Sequence, residues 1–388
     1  MLRILLPILL GLALLVPAEA HADTTPGQLI NRSPAAHPLE AYRILYTSTT
    51  ADGRPVEVSG FVIEPVRPWP GEGPTPTIVF APGTRGAGDQ CAPSRADNLY
   101  ASLTPRNINV NYEVPLPQMA ALGGVRAVVT DYVGLGTDGP HTYVHHTEEA
   151  HAVLDAARAI AGDGPVGFYG YSQGGGATAA AAEHAASYAP ELDIRGTYAG
   201  APPADLASVL GAVDGSSIVG VLGYAMAGFA DRDPEFAAAL DEILNDKGRH
   251  FLADNANNCI VDSTLKWAMT DTRQLTVSGE TLTSAALNDP VIAETFAREK
   301  LGQAATTGPI MISSSTADDI IPNGQVRQLA ADYCAAGSTV EYRGHEVIST
   351  TSSLPYAIDH ALGMALDVPD SLVYLFDRFH GTPAPTNC

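Results

Sequence analysis

The chain has 388 residues and carries 43 acidic against 21 basic side chains, a formal charge of −22. That acidity argues against nucleic acid and anionic membranes as partners, and an apolar content of 45% without any low-complexity tract excludes a disordered or fibrous chain. The length suits one large α/β domain with an insertion, or two domains.

Residues 1–22 read as a secretory signal. Arg3 supplies the positive start, residues 4–16 form an apolar run, and Ala20-His21-Ala22 places small residues at a cleavage site, with Ala18-Glu19-Ala20 as the alternative. The apolar run is too short to span a bilayer, so an exported protein is expected rather than an integral membrane protein. Residues 42–49 and 56–64 predict a hairpin around Asp52-Gly53. The continuous apolar run at 75–82 predicts a buried strand, and 126–131 another. Thr147 can start a helix running to Ala161, with Ala150, Val153, Leu154, Ala157 and Ile160 on one face. A strand over 165–169 leads into a helix of very small residues over 173–186. The rhythm resumes with a strand at 308–314, a helix at 323–336, a strand at 339–343, and a last helix started by Asp370.

This alternation predicts an α/β protein with a mostly parallel central sheet and helices on both faces. Residues 204–302 interrupt it with several helices and no clear strand. They are expected to form a helical cap inserted between two parts of one core, 23–203 and 303–388. Within them, the uncharged stretch 215–230 offers Ile218, Val219, Leu222, Met226 and Phe229 as an apolar lining.

Cys91, Cys259, Cys334 and Cys388 are even in number, which in an exported chain predicts two disulfides in one of three connectivities. No Cys-x-x-Cys pair is present, and no metal or organic cofactor is expected.

Chemistry enters at Gly170-Tyr171-Ser172-Gln173-Gly174, a G-x-S-x-G pattern. The bare pattern is weak, but a predicted strand leads in and a small-residue helix leads out, the setting a nucleophile elbow requires. Glycines on either side of the serine remove the Cβ atoms that such a turn cannot accommodate. The helix start offers the Gln173 N–H and a positive dipole end to a developing oxyanion. A serine hydroxyl needs a base, and in hydrolases built on this elbow the partners follow in the order serine, acid, histidine. Asp318 and Asp319 lie just after a late strand, and only one can point inward in a tight turn; Asp318 is preferred. The base must follow, from His345, His360 and His380, and His360 is preferred because a loop before the final helix can reach back. Asp319 and His345 stay open as alternatives, and His380 reads as a surface residue. The loop Pro82-Gly83-Thr84-Arg85-Gly86 suits the second oxyanion donor, a backbone N–H of Thr84 or Arg85. His145, His146 and His151, with Glu148 and Glu149, lack the H-E-x-x-H spacing of a zinc site and read as a solvated helix N-terminus; His141 reads as a loop residue.

Taken together, residues 81–94 (APGTRGAGDQCAPS), 130–139, 170–177 (GYSQGGGA), 316–322 (TADDIIP) and 359–363 (DHALG) resemble the secretory lipase family, the lipase A type of the α/β-hydrolase superfamily. The resemblance spans residues 37–380. It implies an α/β-hydrolase fold, Ser172 as nucleophile, Asp318 as acid, His360 as base, and disulfides Cys91–Cys259 and Cys334–Cys388. It also implies a lipase or esterase acting on acylglycerols or small esters, with a lipid–water interface as a place of action. The run 344–358 is longer than the short turn expected before the family's histidine, and Arg85 stands where some members carry an acidic or amide side chain. The same triad can serve an acyltransferase or a serine peptidase, and a non-catalytic binding protein on a hydrolase scaffold is the remaining alternative.

Overall fold

Strands that send alternate residues to two opposite faces build the centre of the protein. The computed structural model describes residues 25–104, 107–346 and 355–388; the secretory signal expected at 1–22 lies outside the described residues, as does the middle of the 344–358 run. The strands are β1 (Leu29–Pro34), β2 (Ala41–Thr49), β3 (Pro55–Ile63), β4 (Thr77–Ala81), β5 (Ala101–Leu103), β6 (Ile108–Val110), β7 (Arg126–Thr130), β8 (Val166–Tyr171), β9 (Ile194–Gly200), β10 (Ile310–Ser315) and β11 (Val340–His345). Nine of them form one sheet in the order β1-β2-β3-β7-β4-β8-β9-β10-β11, and β5 and β6 pair as a separate hairpin. From β7 to β11 every neighbouring pair is parallel, while β1, β2, β3 and β7 pair antiparallel.

The helices are α1 (Pro115–Leu122), α2 (His146–Ala161), α3 (Gln173–Tyr188), α4 (Leu206–Val213), α5 (Gly220–Arg232), α6 (Pro234–Ile243), α7 (Asp246–Asn255), α8 (Ile260–Trp267), α9 (Leu282–Asn288), α10 (Pro290–Arg298), α11 (Asn323–Ala335) and α12 (Ile358–Phe379). The two-residue period of the strands sorts the core. Val79 of β4, Phe168 of β8 and Ile312 of β10 join one apolar cluster with α2, α3 and α11. Their sequence neighbours Phe80, Tyr169 and Met311 join another with α1 and α12. The small residues of α3 have a steric cause. A Cβ on Gly174 would lie 1.9 Å from the Ala81 carbonyl oxygen, and one on Gly175 would lie 2.1 Å from that of Gly200, so only glycine lets the helix start this close to the sheet.

Several boundaries differ from the sequence reading. β1 is exposed at every position, so it carries no hydrophobic alternation to announce it. Helix α2 starts at His146, before Thr147, with His145 as the flanking residue. Asp370 does not start the last helix: α12 runs unbroken from Ile358 through Pro369, and Asp370 pairs with Arg343 at 2.7 Å instead. The proline does not end the helix because a buried face continues across it, from Asp359, His360 and Gly363 to Ser371, Leu372 and Leu375. That packing offsets the cost of the lost backbone bond.

Between β9 and β10 the chain folds as helices α4 to α10. Their apolar faces merge with the cluster over α2 and α3. The exit from this insertion is fastened by Glu183 of α3, whose carboxylate accepts the N–H groups of Gly302, Gln303 and Ala304. A second fastening is ionic: Arg232 at the end of α5 donates to Glu148 at 2.8 Å, and Glu299 after α10 accepts the Thr147 N–H at 3.2 Å. No helix among the described residues is long and apolar enough to cross a membrane.

Candidate active site

The chain passes from β4 through β7 and α2 to β8, so β7 and β8 flank β4 on opposite sides. Such a switch opens a crevice at the carboxyl ends of the strands, and the loops after β4, β8 and β10 meet there. Ser172 sits between β8 and α3, at the N-cap of the helix, with φ 59° and ψ −123°, a left-handed backbone that a side-chain-bearing residue rarely adopts. A Cβ on Gly170 would sit 2.0 Å from the Gly174 carbonyl oxygen, which explains the first glycine of the pattern. The Ser172 N–H bonds the Gly200 carbonyl at 2.9 Å and its carbonyl accepts from Gly176 at 3.0 Å, so the turn is tied to β9 and to α3.

His360 lies in the first turn of α12, not on a loop ahead of the helix. Three contacts fix it. Its Nδ1 is 2.8 Å from Asp318 Oδ2, its backbone N–H donates to Asp319 Oδ1 at 3.0 Å, and its carbonyl accepts from the Tyr171 hydroxyl at 2.8 Å. With Nδ1 bonded to a carboxylate, the proton belongs on Nδ1 and Nε2 presents a lone pair. Burial pulls the imidazole down, but the charge and hydrogen bond of Asp318 outweigh it and hold His360 above its ordinary value. Asp318 is in turn oriented by the N–H groups of Ile320 and Ile321, at 2.9 and 2.7 Å on Oδ1. Of the two adjacent carboxylates, then, Asp318 meets the imidazole and Asp319 meets the backbone beside it.

The loop after β4 is pinned from several sides. Glu113 accepts the Gly83 N–H at 2.8 Å and the Arg85 guanidinium at 2.6 Å, and that guanidinium lies 3.7 Å over the Tyr112 ring. The Arg85 carbonyl accepts from Ile260 at 2.8 Å, Gly86 pairs with Cys259, and the Cys91–Cys259 disulfide locks the same junction. The second disulfide, Cys334–Cys388, ties the carboxyl terminus to α11. Arg85 lines neither of the cavities that reach Ser172. Thr84 lines both cavities that reach Ser172, and its hydroxyl is 2.7 Å from that of Tyr143.

Ser172 lies where these two cavities meet. One, with about 540 Å³ of space, runs under the helical insertion between Leu206, Leu210, Ile218, Leu222, Ala225 and Phe296. The other, with about 840 Å³, is wider and brings Ser172 together with Tyr112, Ile260, His360 and Met364. Of the five residues expected to line an apolar channel, Ile218 and Leu222 do so. Val219, Met226 and Phe229 are buried elsewhere, with Phe229 stacked on His145 at 5.3 Å and packed against Phe236. An uncharged stretch has no polar side to mark its helix face; the lining comes from Val221, Leu222 and Ala225, one side of α5.

Of the other histidines, His380 agrees with its sequence reading as a surface residue, while His145, His146 and His151 differ from theirs. His345 bonds Asp367, and it lines neither cavity at Ser172. His380 is exposed and stacks on Trp69 at 4.6 Å. His145, His146 and His151 are buried rather than solvated. His145 Nδ1 lies 3.3 Å from Glu299; burial alone would lower this imidazole, and the Glu299 carboxylate raises it. His141 is a loop residue, as expected, but it is buried against Gln173, a contact without any local signal in the sequence.

A family model described as Secretory lipase matches residues 102–387. The chain belongs to the secretory lipase family. Among curated relatives, the "Probable inactive lipase MT1628" of Mycobacterium tuberculosis is 29% identical over 361 residues, covering 89% of this chain and 75% of that one. Lipase A of Arthroderma benhamiae is 22% identical over 394 residues, covering 96% and 80%. Among solved structures, Candida antarctica lipase A in its closed state superposes with a TM-score of 0.79 at 21% identity, over 94% of this chain and 84% of that one. The fold is that of the α/β-hydrolases, and membership places the chain among the lipases and esterases.

Proposed function

We propose that the chain is an active, exported serine hydrolase that cleaves carboxylic esters, acylglycerols among them, through an acyl-enzyme. The observation that carries this reading is the shared cavity: Ser172, held at positive φ, and His360, tied through Nδ1 to Asp318, line the same opening. In this reading the Ser172 hydroxyl attacks the ester carbonyl while His360 Nε2 takes its proton, and Asp318 keeps the tautomer and stabilises the imidazolium. The oxyanion is received by the N–H groups of Gln173, at the start of α3, and Thr84. His360 returns its proton to the leaving alcohol, and water then repeats the cycle to release the acid. The helical insertion 204–302 acts as a cap, and the narrower cavity beneath it takes the acyl chain. Export is supported by the family and by the two disulfides, which persist in an oxidising compartment.

A relative named a probable inactive lipase favours a second reading, a scaffold without turnover. One experiment separates the two. The purified chain is exposed to an alkyl fluorophosphonate probe and to p-nitrophenyl esters from acetate to palmitate. Labelling that disappears in Ser172→Ala, together with ester turnover, supports the hydrolase. A folded chain that is neither labelled nor active supports the scaffold.

A further inference from the structure

Behind Ser172 lies a buried polar group that the triad does not use. The Gln173 side-chain nitrogen is 2.8 Å from Glu149 Oε1 and 3.1 Å from His141 Nε2. His141 Nδ1 is 3.0 Å from the Val133 carbonyl, which can only accept, so Nδ1 carries the proton and Nε2 is an acceptor. With acceptors on both sides, the Gln173 amide must present both of its N–H bonds to them. Glu149 Oε1 also accepts the Val144 N–H at 3.0 Å, while its Oε2 is buried without a partner among the described residues.

Resting on the reading of Ser172 as nucleophile, we propose that Glu149 is a positioning residue for the oxyanion side of the site, acting through the Gln173 side chain on the N–H that follows Ser172. Gln173 is the first residue of α3, and its side chain is the lever that fixes how that N–H is aimed.

The surroundings of Glu149 decide its charge. Tyr132 and Tyr143 face it from the loop after β7, His145 from the start of α2, Glu299 from the end of the insertion, and Gln173 from α3, with His141 on the far side of the Gln173 amide. Its neighbour Glu148 is engaged by Arg232. Burial pushes the Glu149 carboxyl up to about 8, against the bonds from Gln173 and Val144. A neutral carboxyl accepts with one oxygen and leaves the developing oxyanion unopposed. Ionised, it places a negative charge behind that oxyanion and weakens the transition state.

The test uses steady-state hydrolysis of p-nitrophenyl butyrate by the full chain between pH 6 and 10, with thermal unfolding as the folding control. Glu149→Ala is expected to lower kcat by about 10- to 100-fold with little change in KM. Glu149→Gln keeps an accepting oxygen; it restores kcat to within about 3-fold of wild type at pH 7 and lacks the alkaline decline that wild type shows past about pH 8. Gln173→Ala gives a loss like that of Glu149→Ala, and the double variant loses no more than either single. An unchanged kcat in Glu149→Ala, additive losses, or a Gln variant as impaired as the Ala variant would overturn the inference. Should Glu149→Ala fail to fold, the pH profile of Glu149→Gln and the kcat of Gln173→Ala decide. A wild-type chain without turnover or fluorophosphonate labelling removes the hydrolase reading and this inference together. A wild type that turns over with kcat indifferent to Glu149 removes this inference alone.

Discussion

Two histidine–aspartate pairs stand near the carboxyl edge of this sheet, and each has a serine in its neighbourhood. In one, His360 bonds Asp318 through Nδ1 at 2.8 Å. In the other, His345 bonds Asp367 through Nε2, and Asp367 also accepts the Ser313 hydroxyl at 2.6 Å. By composition the two are the same set of groups. They differ in backbone and in space. Ser313 sits inside β10 with no exposure and spends its hydroxyl on the carboxylate, while Tyr198 lies 3.0 Å from it. Ser172 is lifted out of its strand by a turn at φ 59° and opens into two cavities. On the proposed reading, a nucleophile is made by a strained turn beside empty space; the side chains alone make a buried strut.

The sharpest way to break this contrast is to exchange its expected costs. Ser172→Ala and His360→Ala each should lower kcat on p-nitrophenyl esters by about 10⁴-fold or more, with folding retained. Loss of turnover in His345→Ala, with His360→Ala active, would invert the assignment. Next in size is Asp318→Asn, which keeps the shape but favours the wrong imidazole tautomer, an expected loss of about 10³- to 10⁴-fold. It also carries a sign. Burial lowers His360, but Asp318 holds it above the ordinary 6.5. The neutral base is thus lost as pH falls through that raised value, and activity declines on the acid side. Without the Asp318 charge, burial dominates and the acid limb moves to lower pH. A limb that stays put or moves up in the Asn variant would mean that another group titrates. A smaller effect is expected at the narrow cavity. Ala225→Phe fills it, so kcat/KM for long-chain esters should fall about 10-fold relative to acetate. An unchanged chain-length profile would place the acyl chain in the wider cavity.

What the sequence made legible follows from how local the cause is. The elbow could be read because its glycines answer a steric demand within four residues of Ser172, and the parallel strands because their apolar runs must be buried on both faces. The face of α5 was not legible: a stretch of uncharged residues has no polar side, so period alone could not separate Leu222 from Met226. Nor were the partners of His141 and Glu149, which converge on the Gln173 side chain of α3, or that of His145, which meets Glu299 only once the insertion folds over α2. Asp370 mimicked a helix start because an acidic residue just ahead of an apolar period is a sound local N-cap signal, overridden here by continuous packing on the sheet. Choosing between Asp318 and Asp319 needed the turn itself, since both carboxylates contact His360 and only one of them reaches its ring.

The smallest expected effect on turnover closes the contrast from the other side. Asp367 is buried and takes hydrogen bonds from Ser313 and His345, joining β10 and β11 to α12. Asp367→Ala leaves the Ser313 hydroxyl and the His345 imidazole without their acceptor, and a buried polar group left unsatisfied costs roughly 1–3 kcal/mol. The variant should therefore unfold at a temperature several degrees lower, and at a temperature where it is fully folded its kcat should lie within about 2-fold of wild type. His345→Ala should follow the same pattern with a smaller shift, because its imidazole is partly exposed. The measurement is a melting curve beside a rate on the same sample. A fall in kcat without a fall in stability would make this second pair part of the catalytic machinery. The reverse, stability lost and rate kept, is what a strut predicts. The difference between the two outcomes lies in whether the serine beside the pair can reach a substrate, and Ser313, enclosed within β10, cannot.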